Sequence, residues 1–372
     1  MKPKVSIVRC SNYYSASVLE ATEKSIDLIG GITNYVRPGS KVLLKPNLLM
    51  AKEPEFGVTT HPEVVRAVAR ILKKINCQVF IGDGHGVLGN HIVDTGEVYK
   101  KTGMERLASE ENIRIVKFEK RRWRGKFPLT TWLDDCDYFI SLPKFKTHNL
   151  TILTGAIKNL FGLIPGTYKV ELHKQYLARD DFAKILVDIY QLVKPSLTVI
   201  DAITAMEGNG PGTSGKLRNM GLLLVGSDCV ALDSILALIM RLSPYDILTN
   251  KEAAQRGLGC ADIGSVAILG EKLEEVIKEP FLMPTSFIKN HIPTPIINIV
   301  KKLVHFYPLV NHNNCVRCGA CIQACPEKVI NIKDNQIAIN YSGCVSCFCC
   351  QEICPNAAID TKKSLVARLL KL

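Results

Sequence analysis

The sequence predicts an α/β fold, with a mostly parallel sheet covered by helices on both faces, followed by a small α+β domain. Three observations lead to this prediction. Apolar strand-like runs alternate with longer amphipathic stretches up to about residue 280. A proline-punctuated segment follows, and two similar cysteine runs lie near the end of the chain. We therefore expect three regions: an α/β domain at 1–280, a connector at 281–311 and a C-terminal domain at 312–372.

The α/β domain opens with a short strand-like run at residues 1–8, which does not have the pattern of an export signal. Further strands are expected at 41–45, 78–82, 113–117, 138–142, 197–201, 221–225 and 265–269. Helices are expected at 16–29, 61–75, 97–109, 180–193, 228–241 and 246–256. Strands that are apolar throughout and alternate with helices are typical of a parallel sheet buried on both faces.

The connector contains one helical pattern among its prolines. Thr294 is placed to cap this helix and Pro295 to occupy its first turn. Its apolar stripe consists of Ile296, Ile297, Val300, Leu303, Val304 and Tyr307. We expect this stripe to pack on the protein itself, with contact to a membrane surface or a partner as the alternative.

The C-terminal domain carries the spacing C-x2-C-x2-C-x3-C-P twice, starting at Cys315 and at Cys344. This is a bacterial iron–sulfur ligation pattern, in which the fourth cysteine of each run ligates the other cluster. One cluster is therefore expected on Cys315, Cys318, Cys321 and Cys354. The second is expected on Cys344, Cys347, Cys350 and Cys325. The pattern predicts a ferredoxin-like domain with two [4Fe-4S] clusters.

Other features of this domain fit the same interpretation. Pro326 and Pro355 turn the chain after each crossing cysteine. Two alternating runs, 329–332 and 336–339, surround Asp334-Asn335 and predict a hairpin. Zinc sites and a disulfide framework fit eight regularly spaced cysteines less well. Cys349 lies outside the ligand spacing and is expected to pack, with a spare ligand or a redox thiol as the alternatives.

Composition limits the partners and the compartment. The chain is 47% hydrophobic and 22% charged, with a formal net charge of +12. No apolar run is long enough to span a bilayer, so we expect no transmembrane segment and a cytoplasmic protein. The basic run 120–126 is expected to be a solvated loop or a surface that docks an acidic partner. No nucleic-acid partner is expected, because no nucleic-acid-binding motif is recognised.

Two glycine-rich segments resemble nucleotide motifs without completing them. Residues 84–89 fit G-x-G-x-x-G after a strand, but the adjacent Asp83 would direct its carboxylate towards a pyrophosphate. Residues 210–216 fit most of a Walker A motif, but Leu217 replaces the Ser/Thr that would hold magnesium. A strand-like run follows where the anion site would need a helix. We expect neither segment to bind a nucleotide.

Polar and basic side chains follow several predicted strands, where ligands of open α/β sheets usually bind. The set consists of Lys45, Asn47, Lys144, Lys146, His148 and Lys158. Several cations in one crevice favour a carboxylate or phosphate ligand. Asp83, Asp201 and Glu207 also lie at strand ends, and could balance the lysines, bind a metal or transfer protons. Structural salt bridges among surface lysines are the alternative.

These same residues carry a family resemblance. The matching segments are 44–47, 60–62, 82–86, 142–148, 154–162, 201–202, 206–211 and 228–233. With its C-terminal cysteine runs, the chain resembles iron–sulfur members of the DUF362 family. One departure is Gly84-His85, where members often carry Ser-Pro. The resemblance implies an architecture and a shared site, and it implies no particular reaction.

The leading hypothesis is an oxidoreductase that passes low-potential electrons from two [4Fe-4S] clusters to an anionic substrate or cofactor in the α/β domain. Proton transfer or metal contact would fall to Asp83, His85, His148 and Lys158. Anion binding would fall to Lys45, Asn47, Lys144, Lys146, Asn159 and Glu207. A flavin is a possible further cofactor, and a ferredoxin-type protein is the expected redox partner. The alternatives are an electron-transfer module that docks to another redox enzyme, and a non-redox enzyme with structural clusters.

Overall fold

A computed structural model describes residues 2–84, 95–166, 168–176, 178–285 and 306–364. Two sequence predictions lie outside these residues. His85 belongs to the segment 85–94, and most of the predicted connector helix belongs to the segment 286–305.

The strands are numbered along the chain. They are β1 (Lys4–Arg9), β2 (Lys41–Pro46), β3 (Gln78–Ile81), β4 (Arg114–Ile115), β5 (Arg121–Arg124), β6 (Phe127–Thr130), β7 (Tyr138–Leu142), β8 (Lys144–His148), β9 (Ile152–Thr154), β10 (Leu197–Gly208), β11 (Gly215–Gly226), β12 (Ala267–Gly270), β13 (Phe306–Val310), β14 (Ile330–Lys333), β15 (Gln336–Ile339) and β16 (Ile359–Lys363). Most of the predicted strands are present, with shifted ends.

The helices follow the same convention. They are α1 (Ser15–Leu28), α2 (Pro62–Lys74), α3 (Thr95–Lys101), α4 (Met104–Glu110), α5 (Trp132–Asp135), α6 (Ala156–Asn159), α7 (Tyr168–Gln175), α8 (Arg179–Leu192), α9 (Cys229–Ile239), α10 (Leu248–Gln255), α11 (Leu273–Val276), α12 (Ala320–Ala324) and α13 (Cys349–Ile353). The single helix predicted at 97–109 is wrong: Gly103, at φ 75°, separates α3 from α4.

The main sheet of the described residues has ten strands and is mostly parallel, as predicted. Its order is β12-β1-β11-β10-β7-β2-β3-β4, and β8 pairs with β10 and β9. Antiparallel pairing is confined to β11 and β9 within this sheet. The carboxyl ends of β2, β3, β7 and β10 therefore lie at one edge.

Helices cover both faces of this sheet, which confirms the predicted α/β class. On β2, Val42 and Leu44 belong to the core that contains α1 and α2. Leu43, which alternates with them, belongs to the core on the opposite face, with α8 and α9. Strands buried on both faces need apolar side chains at every position, which explains the unbroken apolar runs.

Two strands extend beyond the predicted runs. The runs 197–201 and 221–225 form the first part of β10 and the last part of β11, which are each 12 residues long and antiparallel. The first half of β11 was missed because it carries exposed polar residues, including Lys216 and Asn219. The rest of β10 is mostly buried, but Thr204 and Glu207 interrupt its apolar pattern. Residues 209–214 connect the two strands.

Two basic segments also adopt strand structure. Residues 144–148 were expected to follow a strand, but form β8 itself. The basic run 120–126 was expected to be a solvated loop, and instead lies in the β5–β6 hairpin, where Gly125 supplies a positive φ of 56° for the two-residue turn.

The C-terminal domain is a small α+β unit. β13 pairs with β16, so residues 306–310 of the predicted connector join its sheet. β14 and β15 form the expected hairpin around Asp334 and Asn335, at φ 49° and 60°. Within the described part of the chain, no helix is long and apolar enough to cross a membrane.

Candidate active site between the two domains

The site begins where neighbouring parallel strands end. Pro46 at the end of β2 pairs with Leu142 of β7, and Leu44 pairs with Ile81 of β3. The chain segments after these strands therefore emerge side by side. Asn47 and Asp83 follow β2 and β3 directly, which places an amide and a carboxylate at the same edge of the sheet.

A buried polar network connects these ends. Lys45 Nζ lies 2.7 Å from Asp83 Oδ1 and donates to Asn159 Oδ1 at 3.2 Å. Asn47 Nδ2 also donates to Asn159 Oδ1, while Lys146 Nζ donates to Asn47 Oδ1 at 2.7 Å. Burial lowers the pKa of Lys45, and the Asp83 charge opposes that shift. Lys45 and Asp83 thus largely neutralise each other beneath the site.

A cavity of about 130 Å³ opens above this network. One wall comes from the α/β domain, and the other comes from Ala324, Pro326, Cys349, Glu352 and Ile353 of the C-terminal domain. An apolar cavity of about 150 Å³ holds a benzene molecule, so this cavity suits a small ligand. We call it the interdomain cavity.

Lys158 is a cation in the lining of the interdomain cavity, and no carboxylate of the described residues contacts it. Its Nζ has no hydrogen bond or ion pair with any other residue that the structure describes, and it lies over the Phe161 and Phe182 rings at 4.9 and 5.7 Å. Burial lowers the pKa of Lys158, while the negative charge of Glu352 opposes the shift. Such a group gains free energy when an anion binds beside it.

Helix α7 contributes two more side chains to the interdomain cavity. Lys169 donates to the Gly84 carbonyl, and burial lowers the pKa of Lys169 to about 7. His173, one turn later, stacks on Phe182 at 4.5 Å, and burial lowers the pKa of His173 to about 3. The imidazole is therefore neutral near pH 7, and Lys169 is poised between its two protonation states.

His148 lies at the domain junction and does not belong to the described lining of the cavity. Its Nδ1 accepts from the backbone N–H groups of Leu150 and Thr151 at 3.0 and 3.3 Å, so the neutral ring carries its proton on Nε2. That nitrogen lies 3.4 Å from Glu352 Oε1. Burial lowers the pKa of His148 well below its usual value. This environment fits a structural hydrogen bond better than the proton transfer expected from sequence.

Two other predicted residues lie away from the cavity. Lys144 Nζ is 2.9 Å from Asp201 Oδ2, and Tyr13 Oη donates to the other carboxylate oxygen at 2.8 Å. Glu207 pairs with Arg218 at 2.9 Å. Of the predicted set, Asn47, Asp83, Lys158 and Asn159 line the cavity, while Lys45 and Lys146 lie beneath it.

Sequence reasoning missed Lys169, His173 and Glu352. Lys169 and His173 are spaced i, i+4, which places them on one side of α7. The i, i+4 spacing was the sequence signal that could have identified these two residues, but it is common in surface helices. Glu352 lies within the second cysteine run, where only the cysteine spacing indicated a function.

The eight cysteines predicted as cluster ligands lie in two groups. Cys325, Cys344, Cys347 and Cys350 line one small cavity together. Burial and the neighbouring thiols of Cys354, Cys318 and Cys315 raise the pKa of Cys321 to about 11. The described residues contain no group of three or more His, Cys, Asp or Glu that could hold a single metal ion. The ligands of a [4Fe-4S] cluster are arranged differently, because each thiolate binds a different iron. The four sulfur atoms are therefore farther apart than the ligands of a single ion.

The two cysteine sets differ in their surroundings. Ala324 and Pro326, on either side of Cys325, line the interdomain cavity, as does Cys349 beside Cys350, whereas the other set contributes Ile353 beside Cys354 to the described lining. We call the set Cys325, Cys344, Cys347 and Cys350 the inner set. The outer set contains Cys315, Cys318, Cys321 and Cys354, and its Cys318 is exposed.

Several contacts hold the C-terminal domain against the sheet edge. Asn149 Nδ2 donates to Gln351 Oε1 at 2.6 Å. Thr213 Oγ1 donates to the Cys354 carbonyl at 2.6 Å. Gly212 approaches so closely that a Cβ there would lie 2.4 Å from the Glu352 carbonyl oxygen. The segment that resembled a Walker A motif therefore contacts the cysteine domain, and β11 follows it where a phosphate site would need a helix.

The basic run carries five cationic side chains and is only partly balanced by carboxylates. Arg122 and Arg124 lie 3.3 and 2.7 Å from Asp134, and Lys126 lies 2.9 Å from Asp188. Arg121 lies over the ring of Tyr168, the first residue of α7, at 5.0 Å. The hairpin thus packs against the helix that carries Lys169 and His173.

The α/β fold and the C-terminal cysteine domain define an iron–sulfur protein. A family model described as "Domain of unknown function (DUF362)" matches residues 42–237, and a "4Fe-4S dicluster domain" model matches residues 307–355. The chain belongs to the DUF362 family and ends in a 4Fe-4S dicluster domain, as the sequence predicted.

One curated relative and two solved structures are similar to the chain. The "Thylakoid-associated protein sll1697" of Synechocystis sp. is 32% identical over 329 residues, which are 82% of this chain and 99% of that protein. The lactate racemase apoprotein of Thermoanaerobacterium thermosaccharolyticum has a TM-score of 0.42 and 11% identity, over 65% of this chain and 58% of that chain. A Thermotoga maritima protein has a TM-score of 0.34 and 14% identity, over 54% and 52%.

Proposed function

We propose that the protein is an oxidoreductase in which electrons from two [4Fe-4S] clusters reach a small anion bound in the interdomain cavity. This proposal rests on one observation, which is that both domains contribute residues to the lining of that cavity. Lys158, Lys169 and Asn47 come from the α/β domain, whereas residues flanking the inner cysteines come from the C-terminal domain. A ligand between them would lie beside both a cationic surface and a one-electron donor.

The cavity's charge and size favour a small carboxylate or phosphate. Lys45 is balanced by Asp83, and Lys158 has no carboxylate in contact among the described residues, so we expect Lys158 to meet a negative ligand, with Glu352 as the acidic side chain of the opposite wall. Amides of Asn47 and Asn159 lie at the same wall. A cavity of about 130 Å³ suits a small anion, and this proposal therefore names no flavin.

The cysteine sets suggest an order for electron transfer. When bound, the clusters supply one-electron chemistry at low potential. Because Cys318 is exposed, we propose that a ferredoxin-type partner reduces the outer set, and that the inner set, whose neighbours Ala324, Pro326 and Cys349 line the cavity, passes the electron to the ligand. Lys169, with its pKa near 7, is suited to supply a proton to the reduced ligand. Experiments must identify the redox partner and the bound ligand.

The alternative of a docking module has less support. Arg122 and Arg124 of the basic hairpin share the single carboxylate of Asp134, which reduces the charge that they offer to an acidic partner. The cavity, in contrast, contains a lysine with no partner among the described residues. Turnover of a small molecule without a protein acceptor would separate the two functions.

The first test is the metal and ligand content of anaerobically purified protein. We expect about eight irons per chain and the EPR signals of reduced cubanes. Native mass spectrometry should also detect a small acidic molecule. Zinc in place of iron would refute the redox function.

The second test measures anion binding by the reduced-cluster EPR spectrum during titration with acetate or phosphate. Lys158→Gln should weaken the spectral response at least roughly tenfold, because it removes a buried charge-assisted contact. Lys174→Gln is the control, since Lys174 is an exposed residue of α7. Equal responses in both variants would contradict the assignment of the cavity.

A further inference from the structure

The segment that resembled a Walker A motif has no role in the interdomain cavity, yet it makes specific contacts with the cysteine domain. Residues 209–214 join β10 to β11. They reach across the domain junction at Gly212 and Thr213. The contacts fall on the chain around Cys354, the crossing cysteine of the outer set.

Thr213 uses its hydroxyl twice. Its Oγ1 donates to the carbonyl oxygen of Cys354 at 2.6 Å and accepts from the N–H of Ala357 at 3.1 Å. One hydroxyl thus ties the two ends of the turn that follows the cysteine. Ala357 holds a positive φ of 49°, which a residue with a Cβ adopts only when its surroundings hold it there.

The next amide of this turn points at the ligand sulfur. Ala358 N–H donates to Cys354 Sγ at 3.2 Å. Hydrogen bonds from backbone amides to cluster sulfurs are among the terms that set reduction potential, because they stabilise the more negative, reduced cluster. The orientation of this donor depends on the conformation of the turn.

We propose that Thr213 of the α/β domain is a positioning residue that sets the reduction potential of the outer cluster through the Cys354–Ala358 turn. The α/β domain therefore tunes the cluster that receives electrons, as well as binding the ligand. This inference rests on the proposed clusters, and it is independent of what the interdomain cavity binds.

The experiment compares Thr213→Val, Thr213→Ser and Ser214→Ala by EPR-monitored redox titration of the holoprotein. Thr213→Val removes both hydrogen bonds and should shift one of two potentials to a more negative value. Thr213→Ser keeps the hydroxyl and should restore the potential. Ser214→Ala is the matched control, because Ser214 Oγ is buried without a hydrogen-bond partner among the described residues.

A second readout is amide hydrogen exchange at Ala357 and Ala358, which does not depend on electron transfer. Exchange should become roughly five- to tenfold faster in Thr213→Val than in Thr213→Ser, because a hydrogen bond is lost from the turn. Unchanged potential with intact clusters, or equal exchange in both variants, would overturn the inference while leaving the proposed oxidoreductase function in place. Failure of the unsubstituted protein to bind iron would instead refute that function.

Discussion

Lys144 and Lys158 are two buried lysines of the same domain that serve different purposes. Lys144 contacts the Asp201 carboxylate at 2.9 Å and the Tyr13 hydroxyl at 2.7 Å, and it is almost fully buried. Lys158 lies over aromatic rings beside a cavity and contacts no carboxylate among the described residues. The comparison teaches that losing one member of a buried ion pair destabilises the fold, whereas a lysine beside a cavity with no carboxylate in contact can meet a ligand.

The largest expected effect is on stability, and it tests whether Lys144 is needed to balance the charge of Asp201. Lys144→Met leaves Asp201 buried without its counter-ion, and should lower the free energy of unfolding by roughly 3–5 kcal/mol. Lys158→Met removes a charge that contacts no carboxylate among the described residues, and should cost far less. Urea unfolding of both variants, followed by circular dichroism, measures the difference. Equal losses of stability would mean that Lys158 also has a structural partner.

The second prediction separates the two walls of the cavity. Gly212→Ala places a Cβ 2.4 Å from the Glu352 carbonyl oxygen, so α13 must move away from the α/β domain. Because α13 forms part of the interdomain cavity, we expect anion affinity to fall roughly tenfold, equivalent to about 1.4 kcal/mol. Calorimetric titration with a small carboxylate provides the measurement.

The matched control for this substitution is Gly264→Ala. A Cβ at Gly264 would meet its nearest neighbour, Asp262 Oδ1, at an ordinary 3.5 Å. It should leave both affinity and stability unchanged. If Gly212→Ala also leaves the affinity unchanged, the C-terminal domain is not a necessary wall of the anion site.

The smallest expected effect is a pH dependence that sharpens the role of the cavity lysines. Burial lowers the pKa of Lys169 to about 7, so its charge is present below that pH and is lost as pH rises through it. Anion affinity should therefore fall by a few-fold between about pH 6 and pH 8. Lys169→Met should flatten this profile, and Lys174→Met should leave it unchanged. A profile that persists in Lys169→Met would assign the titration to another group.

The sequence predicted the fold well where burial leaves a simple pattern. β7 runs from Tyr138 to Leu142, as its apolar run indicated, and the β14–β15 hairpin follows from Asp334-Asn335. The polar half of β11 was missed, because an exposed antiparallel strand carries no continuous apolar signal, and the rest of β10 was missed because Thr204 and Glu207 interrupt its apolar run. Gly103 likewise divided a segment whose overall pattern suggested one helix.

The candidate site could be predicted only in part. Asp83, Asn47, Lys158 and Asn159 were expected from strand ends and do line the cavity. Lys144 and Glu207 were expected there too, but each lies beside a partner of opposite charge elsewhere. Sequence order shows which residues carry charge, and it does not show which charges neutralise each other.

By itself the sequence determined the iron–sulfur class, because ligand spacing along a short segment is a local property. It also determined the α/β class, because a parallel sheet buried on both faces leaves its pattern in every strand. The tertiary structure decided which lysines line the interdomain cavity, which neighbours of the cysteines line it, and what Thr213 contacts. These depend on contacts between residues far apart in sequence, such as Thr213 and Cys354, which are 141 positions apart, and no local pattern records such packing.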